Sequence, residues 1–163
     1  MATRHGAGIV LFRRTPAGVE VLIGHRGGPD WAGVDDHAWS IPKGGHAPDD
    51  DPFEAALREF EEEVGLPVPT AEFTPLGTIE AGKLLSVWAA EGDVDETAAH
   101  SVTFELEWPP GSGQRQEFLE FDRVAWVPLA EARRRLVEGQ VPLLDRLEAH
   151  LRSVPVTPGV TRT

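Results

Sequence analysis

The stretch GGHAPDDDPFEAALREFEEEVGL, from Gly44 to Leu66, decides how this chain folds. Its second half has the apolar spacing of a helix that packs one face on a core, at about 100° per residue. The side chains on that face are Phe53, Ala56, Leu57, Phe60 and Val64. The stretch therefore predicts one amphipathic helix.

Three carboxylates, Glu59, Glu62 and Glu63, cluster on the flank and back of the same helix. Residues three and four positions apart are neighbours on a helix, and each like-charged pair costs about 0.2–0.5 kcal/mol. We therefore expect a cation over this cluster, and carboxylate oxygens favour Mg²⁺ or Mn²⁺ over Zn²⁺. The alternative interpretation is a solvated helix face.

The predicted helix has recognisable ends. Asp51 can cap its N-terminus, Pro52 suits the first helical position, and Gly65 suits the left-handed position after the last turn. The loop before the helix contains Gly44 and Gly45, whose backbone amides can approach an anion closely. A glycine loop and an acidic helix are therefore expected to face one site.

This segment resembles the signature of the Nudix hydrolases, which reads glycine, five residues, glutamate, seven residues, then Arg-Glu-apolar-any-Glu-Glu-any-Gly-apolar. The matching positions here are Gly44, Asp50 and the run Arg58 to Leu66. Asp50 stands where the family has glutamate, and we do not include this shorter side chain among the metal ligands. A match of this length and spacing is specific, and the flanking segments are compatible with the same fold over about residues 4–150.

The resemblance implies an α/β fold, the Nudix-type α/β/α sandwich with a mixed β-sheet flanked by helices, in a single domain over residues 1–151. Glu59, Glu62 and Glu63 would be the metal-binding carboxylates. Arg58 would pair with a helix glutamate and hold its orientation, as residues behind metal ligands usually do. The implied cofactor is Mg²⁺, with Mn²⁺ as the alternative.

The resemblance also implies a general base that is either a glutamate of the signature, such as Glu59 or Glu62, or an acid from a later loop. The downstream candidates are Glu117 and Glu120, each of which is otherwise a solvated carboxylate. Lys43 is placed to contact a substrate phosphate as a point charge. Gly44 and Gly45 complete the expected substrate-binding set.

The chemistry of such a site is hydrolysis of a pyrophosphate bond, because magnesium neutralises a diphosphate and lowers the pKa of bound water. The leading interpretation is cleavage of a nucleoside diphosphate linked to another moiety, with a weaker resemblance to the diadenosine-polyphosphate branch of the family. One alternative is an ADP-ribose or nucleoside triphosphate pyrophosphatase. Another is a non-catalytic, nucleotide-sensing Nudix module, since fold alone does not establish function.

The composition of the chain limits the classes of ligand and metal site that it can have. The chain has 163 residues, 27 acidic side chains against 15 lysines and arginines, and no cysteine. The net charge of −12 disfavours extended nucleic acid but leaves a small phosphorylated metabolite or nucleotide open. The absence of cysteine excludes a disulfide scaffold and a thiolate metal site. We expect no membrane span and a cytoplasmic location; the oligomeric state is open, with a homodimer as one alternative.

The remaining elements are predicted from periodicity and turn residues. We expect strands at residues 8–12, 19–24, 75–79, 84–90, 102–108 and 123–127. Those at 75–79, 84–90 and 102–108 are expected to form a meander. Residues 26–45 are expected to be an irregular loop in which Trp39 covers the core, while Trp31 has core packing and base stacking as equal alternatives. Helices are expected at 129–139 and 143–151, and residues 152–163 are expected to be disordered.

Overall fold

The computed structural model describes residues 3–153. Within them lie helices α1 (Pro52–Val64), α2 (Leu129–Arg135) and α3 (Pro142–Ser153). The strands are β1 (His5–Thr15), β2 (Gly18–Arg26), β3 (Trp39–Ser40), β4 (Lys43–His46), β5 (Thr74–Glu80), β6 (Leu84–Glu91), β7 (Thr103–Glu107), β8 (Arg115–Leu119) and β9 (Phe121–Pro128). Short 3₁₀ turns occur at Pro29–Trp31, Glu96–Ala98 and Glu138–Gln140.

Seven strands form one mixed sheet, with the order β3-β2-β1-β6-β5 and with β4 and β9 added on β1 and β2. The pair β1 and β6 is parallel, running from His5 opposite Leu84 to Phe12 opposite Glu91, whereas the other pairs are antiparallel. The predicted meander is wrong at its third strand. β7 leaves the sheet and pairs only with β8 within the described residues, in a separate hairpin.

Both faces of this sheet are covered, which explains why β1 carries the unbroken apolar run Ile9–Phe12. Ile9 and Leu11 pack with α1 on one side of the sheet. Val10 and Phe12 point to the other side, toward α2 and α3. The α/β/α prediction is therefore confirmed, with α1 facing β1 and β4.

The ends of α1 are those that the sequence predicts. The Asp51 carboxylate accepts from the Phe53 N–H at 3.2 Å, and Pro52 opens the helix. Gly65 closes it with φ 81°, and its N–H donates to the Glu61 carbonyl at 2.8 Å. A Cβ at Gly65 would lie 2.2 Å from the His100 carbonyl oxygen, so glycine also permits the following chain to approach.

Strands β3, β4 and β8 lie where no strand was predicted. The glycine loop before α1 is β4, which is held by β1 through the pairs Gly6 with Gly45 and Ala7 with Gly44. β8 is a polar strand that is specified by its partner β7 rather than by apolar alternation. Both depend on long-range pairing, which local periodicity does not show.

At the C-terminus α2 stops at Arg135, earlier than predicted, because Leu136 bridges to Trp39 and the Val137 N–H donates to the Trp39 carbonyl. α3 extends to Ser153, so the first two residues of the expected tail are helical. The rest of that tail, residues 154–163, lies outside the described residues. Among residues 3–153, no helix has the length and apolar character needed to cross a membrane.

Candidate functional site

The acidic face of α1 meets β4 at Gly44. A Cβ built on Gly44 would lie 1.9 Å from Oε1 and 2.1 Å from Cδ of Glu59. The Glu59 carboxylate therefore occupies the space that any side chain at position 44 would need. This contact explains in steric terms why glycine at the start of the signature accompanies glutamate fifteen residues later.

Glu63 is the buried member of the acidic set, at 5% exposure. It accepts the Lys43 backbone N–H at 3.0 Å, which ties α1 to β4. Burial raises the pKa of the Glu63 carboxyl to about 7; the charge and N–H of Lys43 oppose this rise, and the charges of Glu120 and Glu59 add to it. A buried carboxyl surrounded by further acids is a group that a bound cation would keep ionised.

Glu59 and Glu62 complete the acidic set. Burial, followed by the charge of Glu62, raises the pKa of Glu59. Arg58 lies between the two, with Nη2 3.6 Å from Glu59 Oε2 and Nε 3.9 Å from Glu62 Oε2. These distances exceed those of charge-assisted hydrogen bonds, about 2.7–2.9 Å, so Arg58 is a nearby counter-charge in this state and its orienting role stays a prediction.

The carboxylates of Glu59, Glu62 and Glu63 do not point to one common position. In the part of the chain that the structure describes, no group of three acidic or histidine side chains is arranged to hold a metal ion. Glu63 faces β4, whereas the Glu62 side chain is 45% exposed. Their oxygen donors nevertheless fit Mg²⁺ or Mn²⁺ chemically. Burial first, and then the neighbouring acids, raise the pKa values of Glu59 and Glu63, against the opposing charge of Lys43.

Asp50, the position that departs from the signature, closes a local turn. Its Oδ2 accepts the Ala47 N–H at 3.0 Å, and its own N–H donates to the Ala47 carbonyl. The neighbouring Asp51 caps α1. Asp50 therefore shapes the entry to the helix in this structure.

The two downstream acids have different positions. Glu120 links β8 to β9, its carbonyl accepts the Gly27 N–H at 3.0 Å, and its charge contributes to the raised pKa of Glu63. Glu117 lies opposite Glu105 on the exposed face of the hairpin. Because side chains alternate along a strand, this face is opposite that of Phe104. The structure therefore places Glu120 close enough to Glu63 for its charge to raise that pKa, whereas Glu117 faces solvent on the hairpin.

A basic cavity of about 590 Å³ adjoins the acidic cluster. Its cationic lining residues are Arg4, Arg26, Lys43 and Lys83. Burial and the charges of Lys43 and Arg4 lower the pKa of Lys83, which shows that the cations repel one another. Such a group of cations favours an anionic ligand.

Only Lys43 of this basic set was predicted from the sequence. Arg4 precedes β1, Arg26 ends β2, and Lys83 lies in the β5–β6 turn. The parallel pairing of β1 with β6 brings Arg4 and Lys83 together. The sequence contains no local signal for that pairing. Gly44 and Gly45, the other predicted substrate contacts, lie in β4. Gly45 is exposed, and a Cβ added to it would lie 3.5 Å from Lys83 Nζ.

The tryptophans of the long segment differ. Trp39 is buried in the core at 2% exposure, as predicted, and its Nε1 donates to Asp35 at 2.9 Å. Trp31 is half-buried, and the Arg26 guanidinium lies 4.2 Å above its ring centroid. Trp31 therefore lines a small cavity beside the basic one, and it also packs against the core.

The NUDIX domain family model matches residues 2–147 of this chain. The chain belongs to the NUDIX family. The family match confirms the resemblance that the signature predicts and supports a pyrophosphohydrolase. The roles of the individual site residues, the cytoplasmic location and the homodimer remain predictions.

Solved structures with this fold include a C. elegans Ap4A hydrolase binary complex. It is 24% identical, and the match covers 93% of this chain and 99% of that chain with a TM-score of 0.59. The NUDIX domain of Shewanella oneidensis NrtR complexed with ADP ribose is 18% identical, with coverages of 93% and 90% and a TM-score of 0.62. At these identities the likeness establishes the fold. An RNA pyrophosphohydrolase of Gluconacetobacter diazotrophicus is 42% identical over 64 residues, which span 38% of this chain and 36% of that protein.

Proposed function

We propose that this NUDIX protein is a magnesium-dependent hydrolase that cleaves a diphosphate bond in a nucleoside diphosphate linked to another moiety. The observation that carries the proposal is the direct adjacency of an acidic cluster and a basic cavity. Lys43 belongs to both, since its backbone N–H binds Glu63 and its side chain lines the cavity. Opposite charges so arranged suit a metal ion and a phosphate chain side by side.

In this proposal Glu59, Glu62 and Glu63 would hold Mg²⁺, with Mn²⁺ as a substitute. The metal would neutralise the diphosphate and make bound water acidic. Lys43 and Lys83 would bind phosphate oxygens from the basic side. These contacts orient the diphosphate without requiring covalent attachment to the protein.

Glu120 is the proposed general base, because its charge acts on Glu63 and its backbone is fixed to Gly27. Its carboxylate would accept the proton of the attacking water as the water oxygen bonds to phosphorus. The bridging P–O bond breaks, and the leaving phosphate takes the electron pair. Glu59 or Glu62 remains the alternative base.

A diadenosine polyphosphate is the substrate we favour. Four cationic side chains, Arg4, Arg26, Lys43 and Lys83, line one cavity, which suits a chain of several phosphates. The fold shared with an Ap4A hydrolase agrees with this choice. ADP-ribose is the second candidate, because the similar NrtR domain is complexed with it.

The test is product chromatography after incubation with Mg²⁺, or with EDTA, and a panel of diadenosine polyphosphates, ADP-ribose and nucleoside triphosphates. We expect selective, EDTA-sensitive cleavage, and Glu62→Gln should abolish it without loss of folding because Glu62 is exposed. Glu61→Gln on the same helix is the matched control and should retain turnover. Wild-type rates in Glu62→Gln would contradict the metal assignment, and stabilisation by a nucleotide without cleavage would favour the sensor alternative.

A further inference from the structure

A second, smaller cavity lies beside the basic one, between the segment after β2 and the β7–β8 hairpin. Its volume is about 240 Å³, below the roughly 300–1,000 Å³ of pockets that hold drug-sized ligands. The lining residues that matter here are Arg26, Gly28, Trp31, Phe104, Leu106 and Glu120. We call this cavity the ring slot, since its size suits one ring system.

One wall of the ring slot is flat and cationic. The guanidinium carbon of Arg26 lies 4.2 Å from the centroid of the Trp31 ring. Burial lowers the pKa of Arg26, while the charge of Glu120 raises it. A guanidinium placed over an indole forms a cationic and aromatic surface, on which other aromatic rings can stack.

The facing wall is apolar and comes from β7. Phe104 and Leu106 project from the same side of the strand and are half-buried. Phe118, opposite Phe104 on β8, packs with it at a ring-centroid distance of 6.1 Å. These three residues belong to neither hydrophobic cluster of the sandwich, so the apolar face of the hairpin serves the ring slot rather than the core.

Glycines hold the two walls close together. An added Cβ at Gly28, where φ is 99°, would lie 3.1 Å from Phe104 Cζ. At Gly27 it would lie 1.8 Å from the Leu119 carbonyl oxygen, at the base of the hairpin. The hairpin is therefore seated directly against the Gly27–Gly28 segment, which fixes the width of the slot.

The ring slot is continuous with the proposed reaction site. Arg26 lines both the slot and the basic cavity. Glu120 lines the slot and also acts electrostatically on Glu63. If the ring of a ligand lies in the slot, its phosphates can therefore extend past Arg26 toward the acidic cluster.

We propose that the ring slot binds the nucleobase of the substrate, with Trp31, Phe104 and Leu106 as the residues that determine specificity for an aromatic ring. This inference rests on the proposed function for the identity of the whole ligand. Base binding itself is measurable without hydrolysis, so the two proposals can fail separately.

The test compares ligands that differ only in the base. Binding of AMP, GMP, CMP and UMP, each against ribose 5-phosphate, is measured by calorimetry on the full chain with Mg²⁺. At least one nucleotide should bind about 5- to 140-fold more tightly than ribose 5-phosphate, which converts the roughly 1–3 kcal/mol of base stacking at about 1.4 kcal/mol per tenfold.

Phe104→Ala should remove most of this preference, whereas Phe104→Tyr, which keeps a ring, should retain it. Glu105→Ala is the matched control, because Glu105 is the exposed neighbour on the opposite face of β7. Leu106→Ala provides a second change in the same wall, and thermal unfolding checks that every variant folds. A wild-type protein that binds ribose 5-phosphate as well as every nucleotide, or a preference unchanged in both alanine variants, would overturn the proposal.

If the preference behaves as expected but no substrate in the panel is cleaved, the ring slot stands and the proposed hydrolysis fails. If cleavage occurs without any base preference, hydrolysis stands and the ring slot fails. The two readouts therefore separate binding of the base from chemistry at the diphosphate.

Discussion

Replacing Gly44 with alanine should disrupt the metal cluster without touching a carboxylate. The added Cβ would lie 1.9 Å from Glu59 Oε1, well inside the 3.4 Å at which ordinary contact begins, so the carboxylate must withdraw by about 1.5 Å. Misplacement of a reacting group by about 1 Å can cost roughly 100-fold, and loss of support behind a metal ligand costs about 10–100-fold in affinity. We expect Mg²⁺ affinity to fall about 10–100-fold in Gly44→Ala.

Calorimetric titration of Mg²⁺ into the substrate-free protein measures this effect. Gly45→Ala is the matched control, since a Cβ there meets its nearest neighbour, Lys83 Nζ, at 3.5 Å. In EDTA, urea unfolding should show only about 1 kcal/mol of destabilisation for Gly44→Ala, the lower end for overpacking, because Glu59 is a flexible side chain. Wild-type Mg²⁺ affinity in Gly44→Ala would refute the assignment of Glu59 as a ligand placed by this glycine.

Three further predictions concern pH, proton transfer and packing. The Glu63 pKa is raised from 4.5 to about 7 in the fold, so between these pH values the folded, metal-free protein binds more protons than the unfolded chain. Its free energy of unfolding should therefore fall by up to about 3 kcal/mol as pH rises from 4.5 through 7. Urea unfolding at pH 5 and 8 in EDTA should show this loss in wild type and not in Glu63→Gln, and an equal loss in both would contradict the prediction. Glu120→Gln should lower kcat at least about 100-fold while the control Glu117→Gln stays near wild type, and the base lies elsewhere if steady-state rates show no such difference. Phe60→Ala should cost about 3–5 kcal/mol in urea unfolding, because Phe60 is fully buried under α1; a cost below about 1 kcal/mol would contradict the described packing.

Helix α1 was predictable to the residue because its signals are local. Asp51 and Pro52 specify the start, Gly65 specifies the end, and the apolar spacing specifies the buried face. The burial of both faces of the sheet was predictable because the signature, which includes Gly44 and Glu59, resembles that of a family with an α/β/α fold. In the structure these two residues are in direct contact. These features require no knowledge of which strands pair.

The basic cavity and the ring slot were not predictable in the same way. Lys83 reaches the cavity only because β6 pairs in parallel with β1. The difference between Glu117 and Glu120 depends on where β8 ends and on which of its faces is turned outward. Phe104 lies within the strand predicted at residues 102–108, but its contact with Gly28 follows from the position of the whole hairpin. Long-range pairing, which costs loop-closure entropy and has no sequence period, determined each of these.

The central claim is that the carboxylates of α1 hold a divalent cation beside the basic cavity. A crystal structure of the protein with Mg²⁺ and a non-hydrolysable diadenosine polyphosphate analogue tests it most directly. We predict Mg²⁺ bound by oxygens of Glu59, Glu62 and Glu63, at the roughly 2.0–2.1 Å typical of this ion, with the phosphates between it and Lys43. A phosphate chain bound in the basic cavity with no cation on these glutamates would contradict the account.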